Sequence, residues 1–272
     1  RAIKLRHPWR WIIGVVLLLL VALVIIDAAQ RPAFDWPSVG KYMFDRRVSL
    51  AALTTLELTV FSMVIGIVLG IILAVMRLSP NPILKSIAWF YLWIFRGTPV
   101  YVQLVFWGLI AVIYNTIDIG IPFQQPWISW ETKAALSTFA LAIIGLALNE
   151  AAYMAEIVRG GLQAVPRGQL EAAATLGLGY WPTQRLVVLP QALAHVVPGI
   201  MNNFIAVFKD TSLVTIVSLY ELSGSLGLAV QGDPNWRPFK IEGYVFITLI
   251  YFVFCLSLSR YSLWVERQVS HR

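Results

Sequence analysis

Between Glu57 and Arg77 the chain carries no charge, and the run it does carry, Leu58 to Met76, is long and apolar enough to cross a lipid bilayer as a helix. A second uncharged run lies between Arg10 and Asp27. A water-soluble domain must cover its surface with polar groups, and about 25% of its residues are typically charged. Here only 13% are charged and 58% are apolar. Lipid as the solvent removes that shortage. The eleven Trp and ten Tyr suit the bilayer–water boundary, where amphipathic rings concentrate. The composition points to an integral membrane protein and away from a soluble enzyme.

The net charge of +7 is scattered between apolar runs and forms no stripe, so it reads as charge flanking membrane helices and not as a nucleic-acid surface. The single Cys255 can form neither an internal disulfide nor a Cys-rich metal site. His7, His195 and His271 lie far apart and show no metal-ligand spacing. There is no H-E-x-x-H, no Cys–His pair and no sign of a catalytic triad, so no catalytic or metal residues are expected.

Six spans are predicted. The first, about Trp11 to Ile26, is expected to be a retained helix and not a cleaved signal, because no small-x-small cleavage site follows it. The second runs from about Ala51 to Met76, with Gly66 and Gly70 at the spacing that lets helix backbones approach closely. Arg96-Gly97-Thr98-Pro99 then interrupts a long apolar stretch. Gly97 can end a helix, Thr98 can cap the next and Pro99 suits its first position. This predicts an interfacial helix over about Ile87 to Phe95 and a span beginning at Thr98. The remaining spans are about Lys133 to Ile157, Pro190 to Tyr220 and Gly243 to Ser259. An even number puts both termini on one side. Arg1, Lys4, Arg6, Arg10, Arg77, Lys85, Arg159, Arg167, Arg185, Arg260, Arg267 and Arg272 fall on that side, against Arg31, Lys41, Arg46 and Arg47 opposite. The positive-inside rule makes it the cytoplasm.

The most informative cytoplasmic connection reads RGGLQAVPRGQLEAAATLGLGYWPTQRLVVLP, from Arg159 to Pro190. Pro166 and Gly168 break the preceding helix, Gln169 to Leu176 have helix-forming composition, and Gly177 is a suitable stop. The result is a short helix along the membrane face. Ala172, Ala173 and Ala174 leave one surface nearly bare, while Leu176, Leu178, Tyr180 and Trp181 supply apolar anchors beside it. Such a helix suits a partner's groove.

Glu171-Ala172-Ala173, then Gly177, Val187 and Leu189-Pro190, closely resembles the EAA loop of ABC importer permeases, with Val187 where Ile is usual. Phe95-Arg96-Gly97-Thr98-Pro99 with Gln103, the stretch Ala151 to Gly161, and Lys209-Asp210-Thr211-Ser212-Leu213 resemble the polar amino acid branch (histidine, glutamine, glutamate and arginine permeases). The similarity covers about Thr54 to Val265.

The resemblance implies an all-α type I importer transmembrane domain of about six transmembrane helices, a five-helix core plus an extra N-terminal one. The corresponding division is a tail, helix and external loop over 1–50, the permease domain over 51–265 with its coupling loop at about 160–190, and a cytoplasmic tail over 266–272. It also implies two cytoplasmic ATPase subunits, a second permease (the same chain or a related one), an external substrate-binding protein and a polar amino acid as substrate. Glu171, Ala172, Ala173, Gly177, Leu178 and Tyr180 would couple to the ATPases. ATP and Mg would bind in those ATPases and no cofactor on this chain, which has no G-x-x-x-x-G-K-[ST] loop. The setting is the bacterial cytoplasmic membrane, with lipid and no nucleic acid as a partner.

Single residues keep two readings. Glu171 is otherwise a solvated charge favourable at a helix start. Glu150, near the inner part of a span, contacts a cationic substrate group or pairs with an Arg, since ionisable groups there face a cavity or a partner. Lys209 and Asp210 point in different directions. With Gln103, Asn202, Asn203, Thr211 and Ser212 they line the substrate path or hold helices together. Arg96 is expected at the cytoplasmic break. The alternative function is a self-contained, ion-coupled amino acid carrier or channel. Carriers often show internal repeats or broken helices at mid-membrane, and no clear repeat is seen here. The discriminator is a requirement for a separate ATPase. A membrane-bound enzyme lacks any constellation for chemistry.

Overall fold

The computed structural model describes residues 8–32, 34–37, 40, 44–121 and 124–270. Arg1, Lys4, Arg6, His7, Lys41, His271 and Arg272 lie outside the described residues. Helix α1 spans Pro8–Ala29 and buries none of its residues. Helix α2, Arg46–Leu78, starts where the Asp45 side chain accepts from Arg47 N at 2.8 Å. It ends ahead of Pro82, which opens α3 (Pro82–Gly97) with Asn81 as cap, Oδ1 accepting from Ile83 N at 2.9 Å. Helix α4 (Val100–Gly108) and a single turn, α5 (Ile110–Ile113), lead to a small hairpin. Its strands β1 (Thr116–Ile119) and β2 (Ile128–Glu131) pair antiparallel, Thr116 opposite Glu131.

The chain continues through α6 (Thr132–Ala135) to α7 (Thr138–Gln163), where Ser137 Oγ accepts from Ala140 N at 3.2 Å. A surface helix, α8 (Arg167–Thr175), and α9 (Tyr180–Thr183) follow. A π-turn over Gln184–Val188 then feeds α10, Leu189–Asp210. Pro190 has no N–H for the Leu186 carbonyl, and the wider turn accommodates that missing bond. A 3-10 stretch (Thr211–Val217), α11 (Leu222–Gly232) and the long α12 (Lys240–Ser270) complete the order.

Helices α2 and α7 form the centre and run parallel. Leu58 packs with Leu146, Gly66 lies against Glu150, Gly70 lies against Met154, and Leu73 packs with Ala155. A Cβ on Gly66 would lie 2.8 Å from Glu150 Cγ, and one on Gly70 would strike Met154 Cβ, so the glycines set the helix separation. Along α2 the buried residues include the small or polar Ala51, Thr55, Thr59, Ser62, Gly66, Gly70 and Ala74 beside Leu58, Met63 and Leu73, while Val60, Phe61, Val64, Val68, Ile71 and Val75 are exposed. Small and polar residues inward with large apolar ones outward is the order expected when lipid is the solvent. At the N-terminal end of α2 Arg47 meets Asp45 at 3.1 Å and Asp233 at 3.4 Å and lies over the Trp236 ring. Hydrogen bonds from the Arg47 side chain and backbone hold the Asp45 carboxyl below the usual carboxylate range. The Asn235 backbone N–H does the same for Asp233.

Several expectations need correction. Five segments among the described residues are long and apolar enough to cross a membrane, and the span predicted from Thr98 is not one of them. Instead α3 and α4 are the halves of a broken helix antiparallel to α7. Ala88 and Leu92 pack on Ala151, Ala152 and Ala155, and Leu104 packs on Ala142 and Leu146. The expected interfacial helix is therefore part of the bundle, since α3 buries Ala88 and Leu92. Among the described residues the only sheet is the short β1–β2 hairpin in the connection before α7, and the fold is otherwise the expected α-helical one. Helix α11 falls where a loop was expected. Helix α2 begins at Arg46 and α12 runs on to Ser270.

Candidate coupling face and translocation path

Helix α8 ends in a Schellman motif. Leu178 N donates to Ala173 O at 3.1 Å and Gly177 N to Ala174 O at 3.0 Å, with Gly177 at φ +72°. A residue with a Cβ is strained there, which is why glycine stands at the stop. Glu171 and Ala172 are exposed, whereas Ala173 is buried and faces the protein, so the alanines do not form a single bare surface. Leu178 is half-buried beneath the motif. Leu176, Tyr180 and Trp181 are exposed by 78%, 70% and 78%, an apolar group standing out beside Glu171. Helix α8 packs on the π-turn. Beneath it, Val165, Val188 and Ala192 cluster with Leu162, tying the loop to both α7 and α10. Gly161 fits against the Ala192 carbonyl and Gly199 against Ile157, so those two helices pack closely.

The candidate path residues separate into two groups. Glu150 is buried near the middle of α7 and accepts from Asn203 Nδ2 at 2.7 Å. Asp210, seven residues after Asn203 and so on the same face of α10, lies within electrostatic reach of Glu150. Gln103 belongs to a different knot. Pro99 cannot donate to the Phe95 carbonyl, and Gln103 Nε2 (3.0 Å) and Asn149 Nδ2 (3.0 Å) donate to it instead. Gln103 Nε2 also reaches Thr98 Oγ1 at 2.8 Å, and Gln103 Oε1 accepts from Asn149 at 3.1 Å. The break at Gly97 thus sits beside the middle of α7 and not at the cytoplasmic boundary. Arg96 lies over the Tyr153 ring at 5.6 Å. Thr211 is buried, with its hydroxyl on Phe208 O, Ser212 is half-buried, and Asn202 and Lys209 are exposed.

The family model for the binding-protein-dependent transport system inner membrane component matches residues 66–271. The chain belongs to this family. Among curated relatives of this inner membrane component, the arginine transport system permease protein ArgU of Corynebacterium glutamicum is 50% identical over 78% of the chain and 66% of its own length. The inner membrane amino-acid ABC transporter permease protein YhdY of Escherichia coli is 40% identical over 86% of the chain and 60% of its own length. The chain thus spans less than two thirds of these relatives. The glutamate/aspartate import permease protein GltK of E. coli is 33% identical, with 87% of the chain and 99% of the relative covered. A solved amino acid ABC transporter with histidines superposes with a TM-score of 0.70 at 30% identity, covering 86% of the chain and 99% of its own. The fold is that of a type I importer transmembrane domain.

Within this family member the sequence reading missed one polar centre. Glu221, fully buried, caps α11 by accepting from Ser223 N and Gly224 N, both at 2.9 Å. It also accepts from Tyr251 Oη at 2.6 Å on α12 and Thr55 Oγ1 at 3.3 Å on α2. The signal was an acidic residue just before the apolar positions Leu222, Leu226 and Ala229, at helical spacing. Asn149 was passed over because its partner carbonyl is freed by a proline fifty residues earlier.

Proposed function

We propose that the chain is the permease subunit of an ATP-driven importer of polar amino acids, lying in the bacterial cytoplasmic membrane with both termini on the cytoplasmic side. The carrying observation is the coupling face. A short helix, locked at Gly177, presents Glu171 next to exposed Leu176, Tyr180 and Trp181 and is braced on α7 and α10. Two cytoplasmic ATPase subunits would dock there and bind the ATP and Mg, with no cofactor on this chain. Closure of the ATPases would push α8, and the Val165–Val188–Ala192 contact would carry the push into the two helices holding Glu150 and Asn203.

A second permease is supported by the break in the third crossing. Arg96, Gly97, Thr98 and Pro99 are exposed at the level of the middle of α7. Irregular backbone at that depth does not face lipid, so this face suits a water-filled path or a second permease. Glu150 and Asp210 would meet the ammonium or basic group of an amino acid delivered by an external binding protein, in line with the arginine permease among the relatives. The test is uptake of labelled amino acids into proteoliposomes containing the chain, its binding protein and its ATPase. Uptake that stops when the ATPase is omitted supports the reading. Uptake that persists without it replaces the importer with an ion-coupled carrier.

A further inference from the structure

Where α2 ends, α3 begins and α7 ends, a cavity of about 350 Å³ is lined by Arg77, Leu78, Ser79, Lys85, Arg159 and Gln163. Only Arg159 has a carboxylate partner there. Its Nη2 lies 2.6 Å from Glu156 Oε2, and its Nη1 donates to Gln163 Oε1 at 2.5 Å. Neither Arg77 nor Lys85 has a salt-bridge partner among the described residues. Three cations therefore face one cavity against a single nearby carboxylate. Cations held side by side repel one another unless an anion sits between them, and a pocket holding them is built for a ligand with negatively charged oxygens.

The surroundings identify that ligand's other end. Trp89 and Trp93 follow Lys85 at four-residue steps on one face of α3, both exposed, with their rings stacked at 6.3 Å. Val75, on α2 just before Arg77, is also exposed. A free phosphate would use the cations alone. A molecule with an anionic head and a hydrocarbon tail would use both the cations and the aromatic stripe leading away from them. We propose that this cavity holds the headgroup of an anionic phospholipid, with an acyl chain along Trp89 and Trp93. Basic pockets between membrane helices bind such headgroups. The bound lipid would brace the α2–α3 junction against the end of α7, immediately before the coupling loop.

The test is lipid retention by the full chain, in complex with its partners, extracted from nanodiscs of mixed phosphatidylglycerol and phosphatidylcholine and read by native mass spectrometry. The expected result is selective retention of phosphatidylglycerol, unaffected by millimolar inorganic phosphate. Retention should weaken about fivefold for R77Q or K85Q and further for the pair, as expected from the contribution of each Lys or Arg near a lipid surface. R185Q, on the loop side and away from the cavity, should leave retention unchanged. Equal retention in R77Q/K85Q, or equal retention of the two lipids, overturns the proposal. So does displacement by phosphate, which would make the cavity a free-anion site. Loss of ATPase binding in R77Q/K85Q with lipid retention intact would assign the cavity to the protein partner. A W89A/W93A variant separates the tail contact from the head contact: it should weaken phosphatidylglycerol retention, and unchanged retention would contradict the acyl-chain path.

Discussion

Replacing Glu221 by Ala removes a side chain whose hydrogen bonds tie together α2, α11 and α12, and its cost can be worked from the contacts it makes. Losing an N-cap costs about 1 kcal/mol. The interhelical hydrogen bonds from Tyr251 and Thr55 are worth roughly 0.6 kcal/mol each at the membrane average. Leaving a buried donor such as the Tyr251 hydroxyl without an acceptor adds about 1 kcal/mol or more. Together the expectation is about 3 kcal/mol. Denaturant titration of the detergent-solubilised chain measures it. Tyr251→Phe alone should cost less, because the cap on α11 stays. The two changes should then be less than additive, because both delete the Tyr251–Glu221 bond, with a coupling of at least about 0.5 kcal/mol. A Glu221→Ala cost below about 1 kcal/mol, or strict additivity with Tyr251→Phe, would refute the reading of Glu221 as the shared tie.

Further consequences follow from the same packing. Gly70→Val would force α2 off Met154 and the Ala151 carbonyl and should cost about 1–3 kcal/mol in the same titration. Gly160→Ala, with nothing within 4 Å of the new methyl, should be neutral or gain up to about 1 kcal/mol. Gly177→Ala at φ +72° should cost about 1 kcal/mol and loosen the end of α8, visible as faster amide exchange at Leu176 to Leu178. The Asp45 carboxyl, held below its usual range by Arg47, contributes stability at pH above the ordinary carboxylate range. That contribution fades as pH falls through the depressed value, so the stability gap between wild type and Asp45→Asn should be present at pH 7 and close on strong acidification.

The long runs were legible because an uncharged stretch of that length suits a lipid-spanning helix. This gives most of α2 and the 243–259 part of α12, whereas α7 continues through Glu150, Glu156 and Arg159. The surface helix α8 was legible too. Pro166 and Gly177 bracket it, and its observed bounds, Arg167–Thr175, differ by two residues or fewer from those expected. The break at Gly97 was visible, but its depth was not, since depth is set by what α3 packs on. The aromatics suggested a membrane boundary, whereas Ala88 and Leu92 place the helix against α7. Helix α11 escaped because five of its eleven residues are Ser or Gly, and its stability comes from the Glu221 cap and the cluster around Trp236. The polar groups divided only in three dimensions: Gln103 and Glu150 look alike as polar residues within spans, yet one repairs a proline break and the other faces Asn203.

In the proposed importer, α8 passes work from an ATPase into the membrane. The most direct measurement is ATP hydrolysis by the complex reconstituted in liposomes with its binding protein, comparing wild type with Glu171→Arg and with Leu176→Ala/Trp181→Ala. Amino-acid-stimulated hydrolysis should be lost in both variants while the chain stays folded and inserted. Full stimulation in both would contradict the claim that this face is the coupling surface.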